Sequence, residues 1–340
     1  MKKVFAVTAV LALLGLSIAA QANVFVLGEG FTNLETVAVG DAGNAADTRY
    51  ETPGYGSVGY NYNIGKYEVT AGQYTDFLNA VAATDTYGLY YTSMSYTDYG
   101  SGITRGGSSG SYTYSVASAF VNRPVNYVSW GDSARFANWL HNGQPTGLQT
   151  AATTEDGAYY LNGATTNTAL NAVTRKAGWT WAITSEDEWY KAAYHKNDGV
   201  TGNYFDYPTS SNTAPGRDMA DASGNNANYY GTPYPIDSPY FTTVAGEFQN
   251  SDSPYGTFDQ GGNVREWNEA LLYGAYRGLL GGFFGSGVYD LQASGRIGLD
   301  PTNDGSIIGF RVSQAVPEPS SIIALAGALI SLLGIRRRRV

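Results

Sequence analysis

Two carboxylates flank a pair of glycines in segment 259–267, which reads D-Q-G-G-N-V-R-E-W. A mixture of carboxylate and main-chain carbonyl oxygens suits a hard cation such as calcium. Glycine lets the backbone approach a ligand closely, and Trp267 would pack beneath the loop. The segment can therefore supply oxygen ligands to a hard cation. The alternative is that Glu266 caps a turn or pairs with Arg265 or Arg296.

The chain contains no cysteine. Thiolate sulfur is the ligand that copper(I) and other soft metals prefer, and it is also the redox group of thiol oxidases. No copper cofactor and no thiol chemistry are therefore expected. Disulfide bonds are excluded as well, so the fold must rely on its core, to which a bound metal could add stability.

The two histidines, His141 and His195, lie at or just past the ends of predicted helices, where a cation interacts well with the helix dipole. This position favours a capping role over metal binding or general-base catalysis. The string G-G-S-S-G at 106–110 fits the pattern G-x-S-x-G, but a nucleophile elbow needs a strand before it and a helix after it. Here the string lies in a loop rich in glycine, serine and tyrosine.

The N-terminus has the pattern of a secretory signal peptide. Lys2 and Lys3 precede an apolar run at 4–19, and A-Q-A at 20–22 is a small-x-small cleavage site. Residues 1–22 are therefore predicted to be removed, and the mature chain is predicted to begin at Asn23.

The C-terminus combines P-E-P at 317–319, an apolar run at 320–335 and four arginines at 336–339. The run is a little shorter than the ~20 residues that a membrane span usually needs. The segment 317–340 resembles a PEP-CTERM sorting tail, which implies an exosortase-type sorting enzyme as partner and cleavage near P-E-P. The expected location is the cell envelope or the extracellular space, with membrane contact only through this segment before processing. An ordinary stop-transfer anchor is the alternative.

The charge balance becomes more acidic once both ends are removed. The whole chain has 20 basic and 29 acidic residues, a net charge of −9. Loss of Lys2, Lys3, the four tail arginines and Glu318 leaves 14 basic and 28 acidic residues, a net charge of −14. Nucleic-acid binding depends on lysine and arginine contacts to phosphates, so nucleic acid is not an expected partner, whereas cations are.

Three helices are predicted from capping boxes followed by apolar residues at helical spacing. They begin after Thr70, Ser129 and Ser185. Strands are predicted at 24–27, 58–62, 179–183 and 308–312. With 43 glycines and 28 tyrosines in 340 residues, the chain reads as an α+β fold with long irregular connections. The tyrosines of stretch 97–118 favour an ordered insertion over a disordered linker.

Five segments resemble, in order, the motifs of the formylglycine-generating enzyme, or sulfatase-modifying factor, family. The matching segments are I-G-K-Y-E-V-T with Q-Y (64–70, 73–74), P-V-N-Y-V-S-W-G-D-S-A (124–134), T-S-E-D-E-W with A-A (184–189, 192–193), D-Q-G-G-N-V-R-E-W (259–267) and G-F-R-V (309–312). The resemblance implies a single elaborated C-type-lectin-like domain of class α+β, with low regular secondary structure, over residues 23–316.

The sequence departs from this family where the family has its oxidase chemistry. Active members have an R-G-G-S motif followed by two cysteines. Here the matching stretch is L-G-G-F-F at 280–284, and the two cysteine positions fall at about Ser286 and Leu291. Neither residue supplies a sulfur ligand, so formylglycine-generating activity is not expected and no catalytic residue is assigned.

The resemblance also implies the calcium ligands. The first family site takes its oxygens from the positions of Asp259, Gly262, Val264 and Glu266, the middle two through main-chain carbonyls. The second begins at an asparagine followed by a hydrophobic residue, which resembles Asn228-Tyr229, and Asp237 is a weaker candidate for a later ligand.

Two functions remain open from the sequence. The favoured one is an exported, non-catalytic, calcium-stabilised domain that binds an extracellular or envelope ligand, such as exopolysaccharide, through a tyrosine-rich and acidic surface. The alternative is a glycan-active enzyme that uses carboxylates, which requires a pair of Asp or Glu residues at a fixed separation. Two carboxylates facing each other in a cleft would favour the enzyme.

Overall fold

The computed structural model describes residues 34–316. The predicted signal peptide (1–22), the predicted strand at 24–27 and the predicted sorting tail (317–340) lie outside the described residues and stay predictions. Within 34–316, no helix has the length and apolar character that a membrane crossing requires.

The three predicted helices form, and each begins with its predicted capping box. Thr70, Ser129 and Ser185 are the N-cap residues, and each side chain accepts a hydrogen bond from the backbone N–H three residues later. This satisfies donors that have no partner inside the helix. The helices of the described region are α1 (Ala71–Val81), α2 (Trp130–His141), α3 (Asn167–Asn171) and α4 (Glu186–Tyr194). The short helix α3 was not predicted, because five residues are too few to show a helical period.

Ten strands are found in residues 34–316. They are β1 (Thr36–Val39), β2 (Tyr62–Gly65), β3 (Ile103–Gly106), β4 (Thr113–Val116), β5 (Trp181–Ile183), β6 (Arg265–Leu272), β7 (Tyr276–Leu280), β8 (Ile297–Leu299), β9 (Ile308–Phe310) and β10 (Val312–Ala315). The α+β class predicted from the sequence is confirmed as a mixed fold with few helices.

The predicted strand at 58–62 is wrong. Val58 bonds to a loop instead of a strand: its carbonyl accepts from Gly43 N at 2.8 Å, and its N–H donates to Asn44 Oδ1 at 3.2 Å. The strand β2 begins only at Tyr62, where pairing with β1 starts. The predicted strand at 179–183 is shorter than expected and begins at Trp181.

The predicted strand at 308–312 is divided between two sheets. One sheet has the order β1-β2-β10-β5 and the other has the order β8-β7-β6-β9, with β9 parallel to β6. Because β9 ends at Phe310 and β10 begins at Val312, the chain passes from one sheet to the other at Arg311. Arg311 is fully buried, so a charged side chain lies at the junction of the two sheets.

The strands β3 and β4 form an antiparallel hairpin inside stretch 97–118. This confirms the prediction of an ordered insertion. The string at 106–110 falls in the turn of the hairpin, where a strand follows instead of a helix, so it does not form a nucleophile elbow.

The main core is built from aromatic side chains of α1 and α2. Phe77, Phe136 and Trp139 have ring centroids 5.3 to 5.7 Å apart, and Phe310 of β9 packs edge-on against Phe136 at 5.3 Å. Such pairs add to the stabilisation that burial of their apolar area provides. The core fixes both helices against β9, and thereby fixes the position of Arg311.

Candidate functional site

The glycine-rich loop 259–264 is held between two other segments. Gly262 N donates to Gly281 O at 2.7 Å, and Asn263 N donates to Asn228 O at 2.8 Å. Gly262 has a φ of +90°, and a Cβ on it would lie 2.1 Å from the carbonyl oxygen of Asn228. Only glycine fits there. The structure thus brings Asn228, from the second predicted calcium site, directly against the loop of the first.

Glu266 forms a fully buried ion pair with Arg311. Arg311 donates to both carboxylate oxygens, at 2.6 Å to Oε2 and 2.7 Å to Oε1, and neither side chain is exposed. Trp189 Nε1 also donates to Oε2, at 2.7 Å. The suggested partners Arg265 and Arg296 are wrong. Arg265 instead pairs with Asp290 at 3.1 Å, and Arg296 pairs with Glu186.

Two further carboxyl groups lie near this pair without a cationic partner of their own. Asp259 Oδ2 accepts a hydrogen bond from Gly246 N at 2.5 Å. Glu68 Oε1 accepts from Asn263 Nδ2 at 3.1 Å, whereas Glu68 Oε2 is buried and has no hydrogen-bond partner within residues 34–316. We call Glu68, Asp259, Glu266 and Arg311 the junction cluster.

The charge balance of the junction cluster is reflected in its pKa values. Burial raises the pKa of Asp259 to about 6, against the opposing effects of the Gly246 hydrogen bond and the Arg311 charge. Burial also raises the pKa of Glu68 well above its ordinary value, and the charges of Asp259 and Glu266 raise it further. Three carboxyl groups share one guanidinium, so a cation or a proton would stabilise the cluster.

The predicted calcium ligands fit a cation in part. Asp259 and the carbonyls of Gly262 and Val264 are hard oxygen donors of the type that calcium prefers. Glu266 does not fit, because the Arg311 fork already occupies both of its oxygens. No group of three or more His, Cys, Asp or Glu side chains with metal-site geometry occurs in residues 34–316. Calcium at this loop stays a prediction, carried by Asp259 and the two carbonyls.

The two main-chain carbonyls of the second predicted site and the carboxylate of Asp237 have protein donors. The Asn228 carbonyl accepts from Asn263 N, as described above. The Tyr229 carbonyl accepts from Arg217 Nε at 2.8 Å, and Asp237 forms an ion pair with Arg123 at 2.6 Å.

The two positions that match the family cysteines have ordinary structural contacts. Ser286 Oγ accepts hydrogen bonds from Phe283 N at 3.2 Å and Arg265 Nη2 at 3.3 Å. Leu291 is fully buried, and its carbonyl accepts from the Tyr194 hydroxyl at 3.1 Å. Each residue is satisfied by packing and hydrogen bonds.

A chain of aromatic rings begins beside Ser286. Tyr230 N donates to Ser286 O at 2.9 Å. From Tyr230 the rings continue at centroid distances of 5.0 to 6.5 Å, through both stacked and edge-to-face contacts. We call this set the tyrosine strip; in spatial order its members are Tyr230, Tyr234, Phe241, Tyr99, Tyr96, Tyr127 and Tyr91. Five of its tyrosines are 36% to 60% exposed.

A second group of buried charges lies between α2, α4 and β6. Arg175 donates from Nε to Glu269 Oε1 at 2.8 Å and from Nη1 to Glu188 Oε1 at 2.7 Å. Tyr159 donates its hydroxyl hydrogen to Glu269 Oε1 at 2.5 Å. Burial raises the pKa of Glu269, although Arg175 opposes the shift. We call Arg175, Glu188, Glu269 and Arg277 the cavity cluster, in which two arginines balance two carboxylates.

Sequence reasoning missed most of these partners. Glu68 and Arg311 lie within the quoted motifs E-V-T and G-F-R, so a signal for them was present, but the motifs give no pairing. Arg175 and Arg277 stand alone in the sequence and carry no comparable signal. The sequence indicated the tyrosine strip only through its high tyrosine content, because the rings of the strip come from segments about 140 residues apart.

The structure is a mixed α and β domain with few helices. Its glycine loop 259–264 retains the motif of the sulfatase-modifying factor family, whereas the two family cysteines are absent. The family model of the sulfatase-modifying factor enzyme 1-like domain matches residues 24–316. The chain belongs to this family.

The solved structures that are similar to this chain include two that cover most of it. The Treponema denticola variable protein 1 is 15% identical with a TM-score of 0.53, over 86% of this chain and 98% of its own. CarF is 18% identical with a TM-score of 0.51, over 86% of this chain and 100% of its own. At such identities the likeness concerns the fold alone. No curated protein matches the chain.

Proposed function

We propose that this protein is an exported, non-catalytic member of its family that binds an extracellular polysaccharide through the tyrosine strip. The observation that carries the proposal is the unbroken contact of partly exposed rings from Tyr230 to Tyr91. A row of aromatic faces offers successive stacking surfaces to a polymer, while the phenolic hydroxyls and nearby carbonyls offer hydrogen bonds.

The position of the tyrosine strip supports a role in polysaccharide binding over the cysteine oxidation that catalytic members of the family perform. It starts at Ser286, where the catalytic members of the family have sulfur. The mature chain has a net charge of about −14, so the proposed polymer is neutral and not polyanionic.

The carboxylate enzyme gains no comparable support. Glu188 and Glu269 are two largely buried carboxylates that share Arg175 as a partner, at 2.7 and 2.8 Å. A guanidinium bound to both groups neutralises them, whereas two catalytic carboxylates have to face the scissile bond.

The remaining parts of the proposal rest on the sequence alone. They are export by the signal peptide, recognition of segment 317–340 by an exosortase-type enzyme, display in the envelope or outside the cell, and a C-type-lectin-like arrangement of the domain. Calcium at Asp259, Gly262 and Val264 belongs to the proposal as a stabilising ion.

The test is a binding assay of the purified protein against neutral and acidic exopolysaccharides, with calcium and with chelator. The double variant Tyr230→Ser/Tyr234→Ser removes two rings, each worth roughly 0.5 to 1.5 kcal/mol in an aromatic contact. We expect it to weaken binding of a neutral polymer by about tenfold. Tyr273→Ser is the matched control, because Tyr273 is 93% exposed and lies outside the strip. Equal binding by the double variant and the control would contradict the proposal.

A further inference from the structure

Two adjoining cavities lie on the segment between α2 and β5, apart from the tyrosine strip. The outer one is an open cup of about 540 Å³ formed by segment 160–176. The inner one has a volume of about 130 Å³ and is walled by Trp130, Tyr159, Glu269 and Arg277 among others. Both cavities are lined by Val173 and Thr174, so the two cavities share a wall.

Arg277 forms one wall of the inner cavity and carries an unused donor. Its guanidinium stacks on Trp130 with its carbon 3.9 Å from the ring centroid. Its Nη groups donate to the carbonyls of Leu170, Val173 and Glu269 at 2.6 to 2.8 Å. The side chain is only 3% exposed, and its Nε has no hydrogen-bond partner among the described residues. A buried N–H without an acceptor is costly, so a ligand atom that accepts from it is favoured.

Glu269 provides an acceptor on the same cavity. Both hydrogen bonds that it receives from described residues, from Tyr159 and from Arg175, end on Oε1. Its Oε2 is therefore left for a ligand. One hydroxyl group could satisfy both walls, because its oxygen accepts from Arg277 Nε while its hydrogen is donated to Glu269 Oε2.

The charges decide which class of ligand suits the cavity. The two arginines and two carboxylates of the cavity cluster balance, so neither an anion nor a cation is required to neutralise it. The outer cup is lined by threonines, Asn162, Tyr160 and one charged residue, Lys176, and no carboxylate lines it. The Lys176 ammonium is already paired with Asp156 at 2.5 Å. Both compartments therefore favour a neutral ligand rich in hydroxyl groups.

The volumes decide how such a ligand would lie. A cavity of about 150 Å³ holds one benzene ring, so the inner cavity, at about 130 Å³, holds part of a hexose unit but not the whole of it. The outer cup is large enough for a ring, which could rest against Tyr160.

We propose that the two compartments form a binding site for the end of a neutral hexose chain, with the hydroxymethyl arm in the inner cavity between Arg277 and Glu269 and the ring in the outer cup. The site is independent of the tyrosine strip. It would bind the terminal sugar unit of a chain, whereas the strip would bind several successive units along a polymer.

The test uses methyl hexosides of the gluco and galacto series as probes, with methyl xyloside as the matched control that lacks the hydroxymethyl arm. Saturation-transfer NMR and isothermal titration with the whole protein measure binding. We expect at least one hexoside to bind with a Kd in the millimolar range and the xyloside to bind at least tenfold more weakly.

Two variants locate the binding. Thr174→Trp should abolish it, because Thr174 is exposed at the boundary of the two compartments and the larger side chain would close the opening without disturbing the core. Glu269→Gln should weaken it at least tenfold, provided circular dichroism shows a folded protein. Tyr230→Ser/Tyr234→Ser should leave it unchanged, which separates this site from the polymer proposal.

Either of two results would overturn the inference. One is that no hexoside binds at concentrations up to about 100 mM. The other is that hexoside binding survives Thr174→Trp unchanged, since that would place the sugar elsewhere.

Discussion

The junction cluster and the cavity cluster are both buried groups of arginine and carboxylate side chains. They differ in their charge balance and in whether a cavity lies beside them. The junction cluster has three carboxyl groups for one guanidinium, and one carboxyl oxygen of Glu68 has no hydrogen-bond partner in the part of the chain that the structure describes. The cavity cluster has two of each sign and lies beside a cavity of about 130 Å³. A closed and unbalanced cluster favours a proton or a cation, whereas a balanced cluster beside open space favours a neutral ligand.

The largest expected effect comes from breaking the ion pair of the junction cluster. Glu266→Gln leaves Arg311 buried without its carboxylate, and loss of one partner of a buried pair costs about 3 to 5 kcal/mol. We expect that loss in the free energy of unfolding measured with denaturant, and we expect added calcium not to restore it.

Glu51→Gln is the control for this change. Glu51 pairs with Arg296 at 3.3 Å, but its side chain is 57% exposed, so its loss should cost less than about 1 kcal/mol. Restoration of Glu266→Gln by calcium would instead make Glu266 a metal ligand.

A smaller effect is expected at Glu186, which lies outside both clusters and has one arginine partner. Burial raises the pKa of Glu186 to about 7, although Arg296 opposes the shift. Because the folded state holds this proton more tightly than the unfolded state does, the contribution to stability is full below about pH 4.5 and is lost as pH rises through about 7. The expected loss is roughly 1 to 3 kcal/mol across that window.

The comparison of unfolding free energies at pH 4.5 and pH 8 checks this prediction. Glu186→Gln should remove that part of the pH dependence. A wild-type protein and a variant with parallel pH profiles would show that Arg296 already compensates Glu186.

A glutamate-to-glutamine substitution should change the free energy of unfolding in opposite directions in the two clusters. Burial raises the pKa of Glu68 and so favours its neutral form. Glu68→Gln removes the cost of neutralising this carboxyl group on folding, and the new amide can donate to a neighbouring carboxylate. We expect it to stabilise the protein at pH 7 by about 1 to 2 kcal/mol. Glu188→Gln should destabilise it, because Arg175 loses a bidentate partner. Destabilisation by both variants would mean that the junction cluster already holds a cation.

The smallest effect concerns calcium itself. With Glu266 held by Arg311, Asp259 is the one carboxylate of the four predicted ligands that is left to the ion, so the site would be weak. A calcium concentration about five times the Kd would stabilise the fold by about 1 kcal/mol, or roughly 2 to 4 °C in Tm.

Thermal melts with calcium and with chelator measure this shift. Asp259→Asn should remove it, whereas Asp198→Asn should not, because Asp198 lies elsewhere and its side chain is 40% exposed. Identical melts of the wild-type protein in the two conditions would eliminate the calcium site.

The sequence by itself determined the three capped helices and the family. The capping boxes at Thr70, Ser129 and Ser185 depend on residues three apart, so their geometry is set by the chain nearby. The motif order and the lack of cysteine were equally readable, because they need no three-dimensional information.

Only the tertiary structure decided what the charged and aromatic residues do. Arg311 reaches Glu266 across 45 residues, and Arg277 meets Trp130 across almost 150. The strand predicted at 308–312 had to divide at Arg311 because its two halves pair in different sheets. A contact between distant segments depends on how the sheets and helices pack, and no local pattern in the sequence records which buried carboxylate a given arginine will reach.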